Sequence, residues 1–500
     1  MMKKFTFIDL FSGIGGFRLA LERNGGECIG FSEINKDAIT YYCKNYKEED
    51  NSNFGDITKI KSLPKHDILV GGVPCQSWSI AGKNLGFDDD RGQLWNDTIY
   101  LLNQSRPKAF IFENVKGLVD PRNKESLQYI LDRIKEAGYF ADVFVINSSD
   151  FGVPQNRIRI YIIGFDNAKD FHSFKINKKH SKKRVILAEV LGIELENEKS
   201  ETTLDLFGNS ASNGNMSLSS TNGLNDYFLF NDLRNGHSTI HSWDILETTE
   251  REKEICLALL RNRRKSKYGK MDGNPLSLMH FQELITDISQ SEIDILAEKG
   301  ILKPEQYLFK IIDKNNSLLT VEEHLILEKY SSGDSIVIDD LKLNKNIKLS
   351  KINIVKILEE LTGKGIIECI EVRYDFKNTK ISTGLYGVNR VFLPTSDIFP
   401  TLVASDTNDF VTTEIIQAKN ETEFRNKFIS EIYKKEKYRK ITKEEACIIQ
   451  GFPTDFELPE NRARWMKLVG NSVSVPVIEV LIKSIIETGV FENKKENVLV

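Results

Sequence analysis

Residues 7–21 read FIDLFSGIGGFRLAL, which is an apolar run, a glycine-rich turn and an amphipathic helical pattern in direct succession. A strand that passes through a tight turn into a helix is the first unit of an alternating α/β domain. Gly13, Gly15 and Gly16 let the backbone come close to a ligand, and the helix N-terminus behind them favours a carboxylate or a phosphate. Because the glycine spacing is not G-x-G-x-x-G, the turn is a weak indication of a dinucleotide site.

The same alternation of apolar runs and amphipathic helical patterns continues to about residue 165. Further strands are predicted at 27–32, 66–72, 108–114, 142–147 and 157–165. This spacing predicts an α/β fold with a doubly wound, mostly parallel sheet, whose ligand lies at the carboxyl ends of the strands. The alternation returns from about residue 437, so we expect the C-terminal segment to complete this domain.

Two acidic residues follow successive strands of the predicted sheet. Glu33 ends the second strand, where an acidic side chain can bind two ribose hydroxyls. Asp56 follows a further short segment, where it can accept a hydrogen bond from an adenine amino group. Either residue alone is more often a solvated turn residue or a helix cap. Together at successive strand ends, they favour an adenosine ligand.

Cys75 stands after Pro74 at the carboxyl end of the next predicted strand. A free cysteine is normally a small buried hydrophobic residue. Here the following strand ends in Glu113, so a thiol and a carboxyl group should meet at one edge of the sheet. Arg157 and Arg159, at positions i and i+2, are predicted on one face of a later strand. Arginines there can lower the pKa of the thiol or bind a phosphate.

The interval between the two α/β parts has a different composition. Residues 195–240 are rich in Asn, Ser, Thr and Gly and predict a long flexible segment. The stretch RNRRKSKYGK, 261–270, is the densest basic patch in the chain and is either a phosphate-binding surface or a solvated helix face. Residues 289–303 and 350–368 resemble each other, since each is an amphipathic helix that ends at Lys-Gly before a strand. They predict two winged-helix-like modules, or two unrelated helix–strand units.

Composition excludes several other classes. The 500 residues suggest two or three domains, and the net charge of -4 means that any nucleic-acid-binding surface must be a local patch. The six cysteines are scattered, which predicts reduced thiols in a cytoplasm and neither a disulfide framework nor a metal site. We expect no membrane span and no signal peptide.

At this point the chain resembles the cytosine-C5 DNA methyltransferases of bacterial restriction-modification systems. The similar blocks are FIDLFSGIGGFRLAL, GGVPCQSWSIAGKNLGF, FENVKGL, QNRIRIYIIG, RKITKEEACIIQGFP and GNSVSVPV, in the order of the family. Six ordered blocks are far more specific than any single motif. The resemblance implies a catalytic part at 1–165, a target-recognition region at 166–436 and a C-terminal segment at 437–500 that completes the catalytic domain. It also implies an inserted α+β recognition domain.

The resemblance implies S-adenosylmethionine as cofactor, and together with the arginines and the basic patch described above it gives three sets of candidate residues. The cofactor set is Phe11, Gly13, Ile14, Gly15, Glu33, Ile34, Asp56, Ile57, Pro74, Asn471 and Ser472. The catalytic set is Cys75, Glu113, Arg157 and Arg159. The DNA-contacting set, which adds the basic patch to the family's Thr-Leu motif, is Gln76, Ser77, Arg261, Arg263, Arg264, Lys265, Thr401 and Leu402.

In the family, the cysteine attacks carbon 6 of a flipped-out cytosine and the glutamate holds ring nitrogen 3 and the exocyclic amine. The expected partners are double-stranded DNA and, functionally, a cognate restriction endonuclease, with the enzyme acting as a monomer. Two alternatives remain open. One is a tRNA cytosine-C5 methyltransferase, which the long basic insertion disfavours. The other is a non-catalytic DNA-binding regulator, which the presence of Cys75, Glu113 and Arg157 disfavours.

Overall fold

The chain forms two compact units. The computed structural model describes residues 5–48, 52–74, 90–181, 185–195, 203–204, 210–211, 227–313, 319–343 and 351–492. The first unit comprises Met1–Tyr227 and Val391–Val500, and the second comprises Phe228–Arg390. The domain boundaries at residues 165 and 436 stay a prediction.

Strands in the described residues are numbered in chain order. They are β1 (Phe5–Leu10), β2 (Gly26–Ser32), β3 (Ile68–Gly72), β4 (Ala109–Val115), β5 (Phe140–Asn147), β6 (Gln155–Asn156), β7 (Ile158–Phe165), β8 (Thr203–Leu204), β9 (Ser210–Ala211), β10 (Tyr227–Phe230), β11 (Thr239–Ile240), β12 (Leu302–Ile311), β13 (Ser335–Val337), β14 (Ile367–Phe376), β15 (Arg390–Phe392), β16 (Phe399–Pro400) and β17 (Asp409–Val411).

The α-helices are numbered in the same way. They are α1 (Gly16–Glu22), α2 (Lys36–Tyr46), α3 (Asp90–Ser105), α4 (Lys124–Glu136), α5 (Ala168–Ser173), α6 (Leu187–Leu191), α7 (Ser242–Ile245), α8 (Glu250–Asn262), α9 (Leu278–Leu284), α10 (Gln290–Glu298), α11 (Val321–Leu327), α12 (Ile338–Leu343), α13 (Lys351–Gly363), α14 (Glu421–Lys427), α15 (Lys443–Gln450), α16 (Arg462–Asn471) and α17 (Val475–Ile486).

The first unit is built on a six-stranded sheet in the order β2-β1-β3-β4-β7-β5. β1 runs parallel to β2 and β3, and β3 runs parallel to β4. β7 runs antiparallel to β4 and β5. The doubly wound, mostly parallel sheet is therefore confirmed. Because β2 and β3 lie on opposite sides of β1, the strand order reverses there, and the carboxyl ends of β1 and β3 border the crevice where such folds bind ligands.

Burial explains why the sheet needs a helix layer on each face. β3 is buried at four of its five residues and β4 at six of its seven, which is typical of strands covered on both sides. Leu10, Leu69, Phe110 and Phe112 are fully buried in one apolar core with residues of α3 and α4. These strands were predicted from short apolar runs, and the same apolar side chains form the core.

The C-terminal segment packs in the first unit, where α17 lies against α1. Residues 462–486 are long and apolar enough to span a membrane, but 83% of an apolar 18-residue window within this stretch is buried inside the structure. Ile478, Leu481, Ile482 and Ile485 of α17 are completely buried. The apolar character of this stretch therefore serves the core of the first unit.

The second unit contains a duplicated arrangement of three helices and a strand. The first repeat is α8, α9, α10 and β12, and the second is α11, α12, α13 and β14. Each repeat begins with a helix that is capped by a threonine and a buried glutamate. This glutamate forms an ion pair with the lysine of a Lys-Gly-Ile segment near the end of the same repeat. The equivalent sets are Thr249, Glu252 and Lys299 in the first repeat, and Thr320, Glu323 and Lys364 in the second.

The strand register shows that a local two-fold axis relates the repeats. The two Lys-Gly-Ile segments lie 65 residues apart in the sequence. In the antiparallel ladder of β12 and β14, Leu302 pairs with Phe376 and Ile311 pairs with Ile367. Leu302 is equivalent to Ile367 and Ile311 is equivalent to Phe376, each 65 positions further on, so the equivalence turns one pair into the other. The axis passes through the middle of the ladder, where the register shifts between Gln306 and Phe309.

Candidate active site and cofactor pocket

The glycine-rich turn after β1 holds a left-handed backbone. Gly15 has a φ of +85°, and a Cβ placed on it would lie 2.4 Å from the Tyr46 ring. The Tyr46 hydroxyl donates to the Gly15 carbonyl at 2.6 Å. Gly13 has a φ of +55°, but a Cβ placed there would meet no heavy atom within 4 Å. Gly15 is thus required by the protein itself, whereas Gly13 borders open space.

Glu33 closes this space from the end of β2. Its carboxylate accepts a hydrogen bond from the Gly13 amide at 2.9 Å and two from the amides of Ile34 and Asn35 at 2.8 and 2.7 Å. These bonds fix the carboxylate beside the turn: Oε1 accepts two of them and Oε2 accepts one, so Oε2 keeps a further acceptor site. Ile34 is 70% exposed, which leaves an apolar surface next to a charged acceptor. This combination fits the ribose and adenine of S-adenosylmethionine.

Asp56 and Ile57 lie one segment further along the chain. Asp56 caps a short 3-10 helix by accepting from the Thr58 amide and hydroxyl at 3.1 and 2.9 Å. The hydrogen bond from the Thr58 hydroxyl lowers the pKa of Asp56 below its ordinary value. Ile57 is buried, as is Ile14 in the glycine turn. Asp56 therefore caps this helix through its Oδ1, a role that the sequence allowed for. Its Oδ2 is a second acceptor.

A buried arginine, Arg18, packs against the tyrosine that contacts the glycine turn. Arg18 is 6% exposed and its guanidinium lies over the Tyr46 ring, 4.5 Å from the centroid. It also binds Glu22 and Glu48 at 2.7 and 2.8 Å. Arg18 was not predicted from the sequence, because it lies within an ordinary amphipathic helical pattern. Only the return of α2 beside α1 brings its partners together.

The chemical edge of the sheet is formed by the ends of β3 and β4. The ladder places Gly72 opposite Glu113, and the Asn114 side-chain amide donates to the Val73 carbonyl at 3.2 Å. Glu113 is 3.0 Å from Nε of Arg159, and the two side chains are 12% and 17% exposed. Pro74 ends this described stretch. Cys75, Gln76 and Ser77 lie outside the described residues.

Arg157 does not share the position of Arg159. The prediction put both on one face of a strand, but β7 begins at Ile158 and Arg157 lies between β6 and β7. Alternation of side chains holds only within a continuous strand. Arg159 reaches Glu113, whereas Arg157 is 2% exposed and donates to backbone carbonyls of Leu402, Gly470 and Ser472.

The remaining predicted contacts divide between exposed and buried positions. Arg261, Arg264 and Lys265 are exposed. Arg263 is 5% exposed and forms a two-pronged ion pair with Asp375, Nη2 to Oδ2 at 2.7 Å and Nε to Oδ1 at 3.1 Å. This burial removes Arg263 from the surface that DNA can touch, because the residue follows the last residue of α8 and its side chain faces Asp375 of β14.

Two further residues of the DNA-contacting set lie in the first unit. The Thr401 hydroxyl donates to the Asn156 carbonyl at 2.5 Å, and Leu402 is 4% exposed. In the cofactor set, Asn471 is exposed and Ser472 is buried beside it. Gly470 and Gln450 were not predicted from the sequence, although Gly470 adjoins Asn471 and the Gln450 side-chain amide donates to the Ser472 carbonyl. Their position inside two of the quoted blocks was a signal, but their neighbours are 22 or more residues away.

This fold and this edge of the sheet define an α/β methyltransferase that uses S-adenosylmethionine. The chain belongs to the C-5 cytosine-specific DNA methylase family, which matches residues 5–487. It is an enzyme that transfers a methyl group from S-adenosylmethionine to carbon 5 of cytosine in DNA, as the sequence predicted.

Relatives with curated names extend the comparison. Type II methyltransferase M.HgiBI of Herpetosiphon aurantiacus is 39% identical over 497 residues, which is 99% of each chain. Type II methyltransferase M.NlaIV of Neisseria lactamica is 29% identical over 519 residues, which cover 97% of this chain and 100% of that protein. Among solved structures, Entamoeba histolytica methyltransferase EhMeth is 15% identical with a TM-score of 0.46, covering 96% of this chain and 98% of that chain.

Proposed function

We propose that Cys75 is the nucleophile, that Glu113 is the residue that binds and protonates the cytosine ring, and that Arg159 holds Glu113 in place. The observation that carries this assignment is the 3.0 Å ion pair between Arg159 and Glu113 opposite the end of β3. Gly72 pairs with Glu113 in the ladder of β3 and β4, and Cys75 comes three residues after Gly72 in the sequence. A thiol and a carboxyl group close to one point of the sheet edge are what addition to a cytosine requires.

The reaction begins when the Cys75 thiolate forms a bond to carbon 6 of the flipped base. Glu113 holds the exocyclic amine and carries a proton to ring nitrogen 3, which neutralises the charge that the attack creates and makes carbon 5 nucleophilic. S-adenosylmethionine supplies an electrophilic methyl group on its sulfonium. Once carbon 5 has taken the methyl group and S-adenosylhomocysteine is released, carbon 5 loses its hydrogen as a proton to a base. Cleavage of the bond between carbon 6 and sulfur then restores the aromatic ring and frees Cys75, and the proton on ring nitrogen 3 returns to Glu113. Proton transfer of this kind contributes about 10²–10⁴-fold to the rate.

Glu33, Ile34 and the turn at Gly13 would hold the adenosine part of the cofactor, with Asn471 and Ser472 on the C-terminal side. Two observations support this fit. The space above Gly13 is open, and the Glu33 carboxylate is fixed beside it by three backbone amides. A fixed acceptor loses little entropy when the ribose hydroxyls bind.

We further propose that the enzyme protects host DNA as the partner of a restriction endonuclease, acting as a monomer on double-stranded DNA in the cytoplasm. The relatives named as type II enzymes align over almost the whole chain, second unit included. By contrast, orphan methyltransferase M.Rho11sI of Bacillus phage rho11s is 48% identical over only 167 residues, or 33% of this chain. Likeness in the second unit thus favours the type II role.

The chemistry is tested with labelled S-adenosylmethionine and unmethylated duplex DNA of mixed sequence. We expect label on cytosine carbon 5, none with Cys75→Ser, and a covalent adduct when the DNA carries 5-fluorocytosine. Cys369→Ser, in β14 of the second unit, is the matched control and should keep wild-type activity. Unchanged transfer by Cys75→Ser contradicts the assignment of the nucleophile.

The same assay separates the substrates. Transfer to tRNA and not to duplex DNA would contradict the protective role. Sequencing of the methylated DNA identifies the target, and an endonuclease that cuts this target should fail to cut DNA from cells that express the enzyme. Cutting at fully methylated sites would refute protection.

A further inference from the structure

Each repeat of the second unit ends in a pair of helices followed by a long strand. The pair is α9 and α10 before β12 in the first repeat, and α12 and α13 before β14 in the second. An equivalent strand contact precedes each pair: Leu276 bridges Tyr374, and Ile336 pairs with Phe309, which lies 65 positions before Tyr374. Two helices joined by a turn are the helix-turn-helix arrangement, which places the N-terminal residues of its second helix in the major groove of DNA.

In α10, the side chains of this N-terminal half are bound within the second unit. The Gln290 side-chain amide donates to the Tyr374 hydroxyl at 2.6 Å, and that hydroxyl donates to the Asp294 carboxylate at 2.9 Å. Glu292 forms an ion pair with Arg251 of α8 at 3.0 Å. These contacts hold α10 against β14 and α8, and its two carboxylates would repel DNA phosphates. The first repeat therefore uses its second helix of the pair for structure.

The equivalent positions of α13 carry different residues. Phe309 takes the place of Tyr374, so the hydroxyl that holds α10 has no counterpart, and Val355 takes the place of Gln290. Val355 is 40% exposed, and the Lys356 side chain is 73% exposed. Nζ of Lys356 lies 3.6 Å from Glu360, but an exposed ion pair of this kind contributes little. The N-terminal half of α13 thus presents an apolar and a basic side chain to the surface.

The other face of α13 fixes this orientation. Its apolar side chains are buried in the core that also contains Phe309 and Ile311, and they are Ile354, Ile357, Leu358 and Leu361. A helix held by four buried side chains cannot rotate about its axis without exposing them. Val355 and Lys356 are therefore kept on the outer face of the repeat.

Charge separates the two helices in the same way. Residues 344–363, which end with α13, contain four lysines and two glutamates. The equivalent residues 279–298, which end with α10, contain five acidic residues and neither lysine nor arginine. Because a protein of net charge -4 must bind DNA through a local basic surface, only the second repeat has a helix pair whose charge suits DNA.

We propose that α13 is the helix of the second unit that reads the DNA sequence, with Val355 and Lys356 in contact with base edges, and that α10 is its duplicated counterpart without such contacts. In the major groove a lysine binds guanine, and an apolar side chain contacts the methyl group of thymine. The exposed residues Glu359 and Glu360 lie in the C-terminal half of α13, outside the part that reaches the bases in this geometry. The proposal rests on double-stranded DNA as the substrate, as proposed above.

The experiment uses the whole enzyme with S-adenosylmethionine and unmethylated duplex DNA of mixed sequence. Sequencing of the methylated product gives the preferred site of the wild type. Competition between this site and each of its single-base-pair variants then gives a discrimination ratio for every base pair. For Lys356→Ala we expect the ratio to fall by about 5- to 150-fold at one or two base pairs and to stay at the wild-type value elsewhere, because one good base contact gives discrimination of this size. Val355→Ala should lower the ratio at a neighbouring base pair.

Two variants are matched controls. Lys310→Ala removes an exposed lysine of β12 that stands between the buried residues Phe309 and Ile311, so its side chain lies on the face of the strand away from α13. Ser291→Ala changes the residue of α10 that is equivalent to Lys356. Both variants should keep the wild-type ratio at every base pair. Thermal unfolding at the wild-type midpoint shows that each variant is folded.

Unchanged ratios in both Lys356→Ala and Val355→Ala overturn the proposal. A uniform loss of methylation at all sequences overturns it as well, because it would show that Lys356 contacts phosphate alone. An equal loss of discrimination in Ser291→Ala would contradict the difference between the two helices. Failure of the proposed substrate has a separate signature, since the wild type would then transfer no methyl group to duplex DNA.

Discussion

Arg263 and Arg264 are neighbours in one basic stretch, yet their substitution should have opposite consequences. Arg263 and Asp375 are each 7% exposed in their side chains and face each other as a two-pronged ion pair. Arg264 is exposed and, among the described residues, faces no acidic partner. We therefore predict that Arg263→Met destabilises the second unit, whereas Arg264→Ala with Lys265→Ala leaves it intact and weakens DNA binding.

The magnitude for Arg263 follows from what its loss leaves behind. Removing one member of a buried pair strands the other charge and costs about 3–5 kcal/mol. Asp375 keeps one hydrogen bond, from the Phe376 amide at 2.8 Å, which places the expected cost toward the lower end. For a unit of this size each kcal/mol lowers Tm by about 2–4 °C. The double variant Arg263→Met/Asp375→Leu should recover most of the loss, because replacing both charges by apolar groups is often neutral.

Trp243 gives a local readout. It is the single tryptophan of residues 228–390, and its ring stacks on Phe376 with centroids 5.4 Å apart. Urea unfolding is followed by the fluorine resonance of Trp243 in protein labelled with 5-fluorotryptophan, assigned with Trp243→Phe. Stability is taken from the midpoint and slope of the transition.

DNA binding is measured on unmethylated duplex DNA of mixed sequence between 50 and 200 mM salt. Each lost phosphate contact reduces the slope of log K against log salt by about 0.9, so Arg264→Ala/Lys265→Ala should reduce it by about 1.8. A buried structural role for Arg263 is contradicted if Arg263→Met unfolds at the wild-type midpoint and instead flattens the salt dependence of DNA binding. An unaltered slope in the Arg264→Ala/Lys265→Ala variant would show that these side chains do not contact phosphates and belong to a solvated helix face.

Two further predictions concern other parts of the structure. Gly15→Ala should lower stability more than Gly13→Ala, since its Cβ would lie 2.4 Å from the Tyr46 ring at a φ of +85°, whereas a Cβ at Gly13 meets no atom and carries only the strain of a φ of +55°; Gly13→Ala should also weaken S-adenosylhomocysteine binding in calorimetry, and equal losses of stability would contradict this. Burial alone would raise the pKa of Glu323, but hydrogen bonds from Lys364 and the Thr320 amide outweigh it and lower the pKa below 4.5. The Glu323–Lys364 pair therefore stabilises the fold fully above about pH 4.5, and this contribution is lost as the pH falls through the lowered pKa. In acid-unfolding curves Glu323→Gln should flatten this loss of stability, and an unchanged curve would contradict a role for the pair.

Local elements were predictable from the sequence because their patterns are periodic and their ends carry turn residues. β2 and β4 lie within one residue of their predicted bounds, and the Lys-Gly segments at 299–300 and 364–365 end the two helices expected there. Periodicity contains no information about which distant strand pairs with which. The ladder of β12 and β14, which joins the two expected modules, therefore had to come from the structure.

In the candidate site too, some positions were predictable from local sequence patterns and others depended on long-range strand pairing. Glu33 and Glu113 were predictable because a residue at the carboxyl end of a buried strand must lie on one known edge of the sheet. Arg157 and Arg159 were not separable, since an i, i+2 spacing implies one face only if the strand is continuous. The break at residue 157 exists because β6 pairs with β16, a partner 240 or more residues away.

The ladder of β12 and β14 also determines how the second unit can unfold. One core contains Leu302 and Phe376 together with α8, α9 and α10, and the other contains Ile311 and Ile367 together with α11, α12 and α13. Each core thus takes the beginning of one strand and the end of the other. Separating the repeats would expose both cores at once, so neither repeat has a complete core of its own. The loss of the Arg263–Asp375 pair at one end of the ladder should therefore lower the stability of both repeats together, and the resonance of Trp243 should report a transition that covers the whole unit.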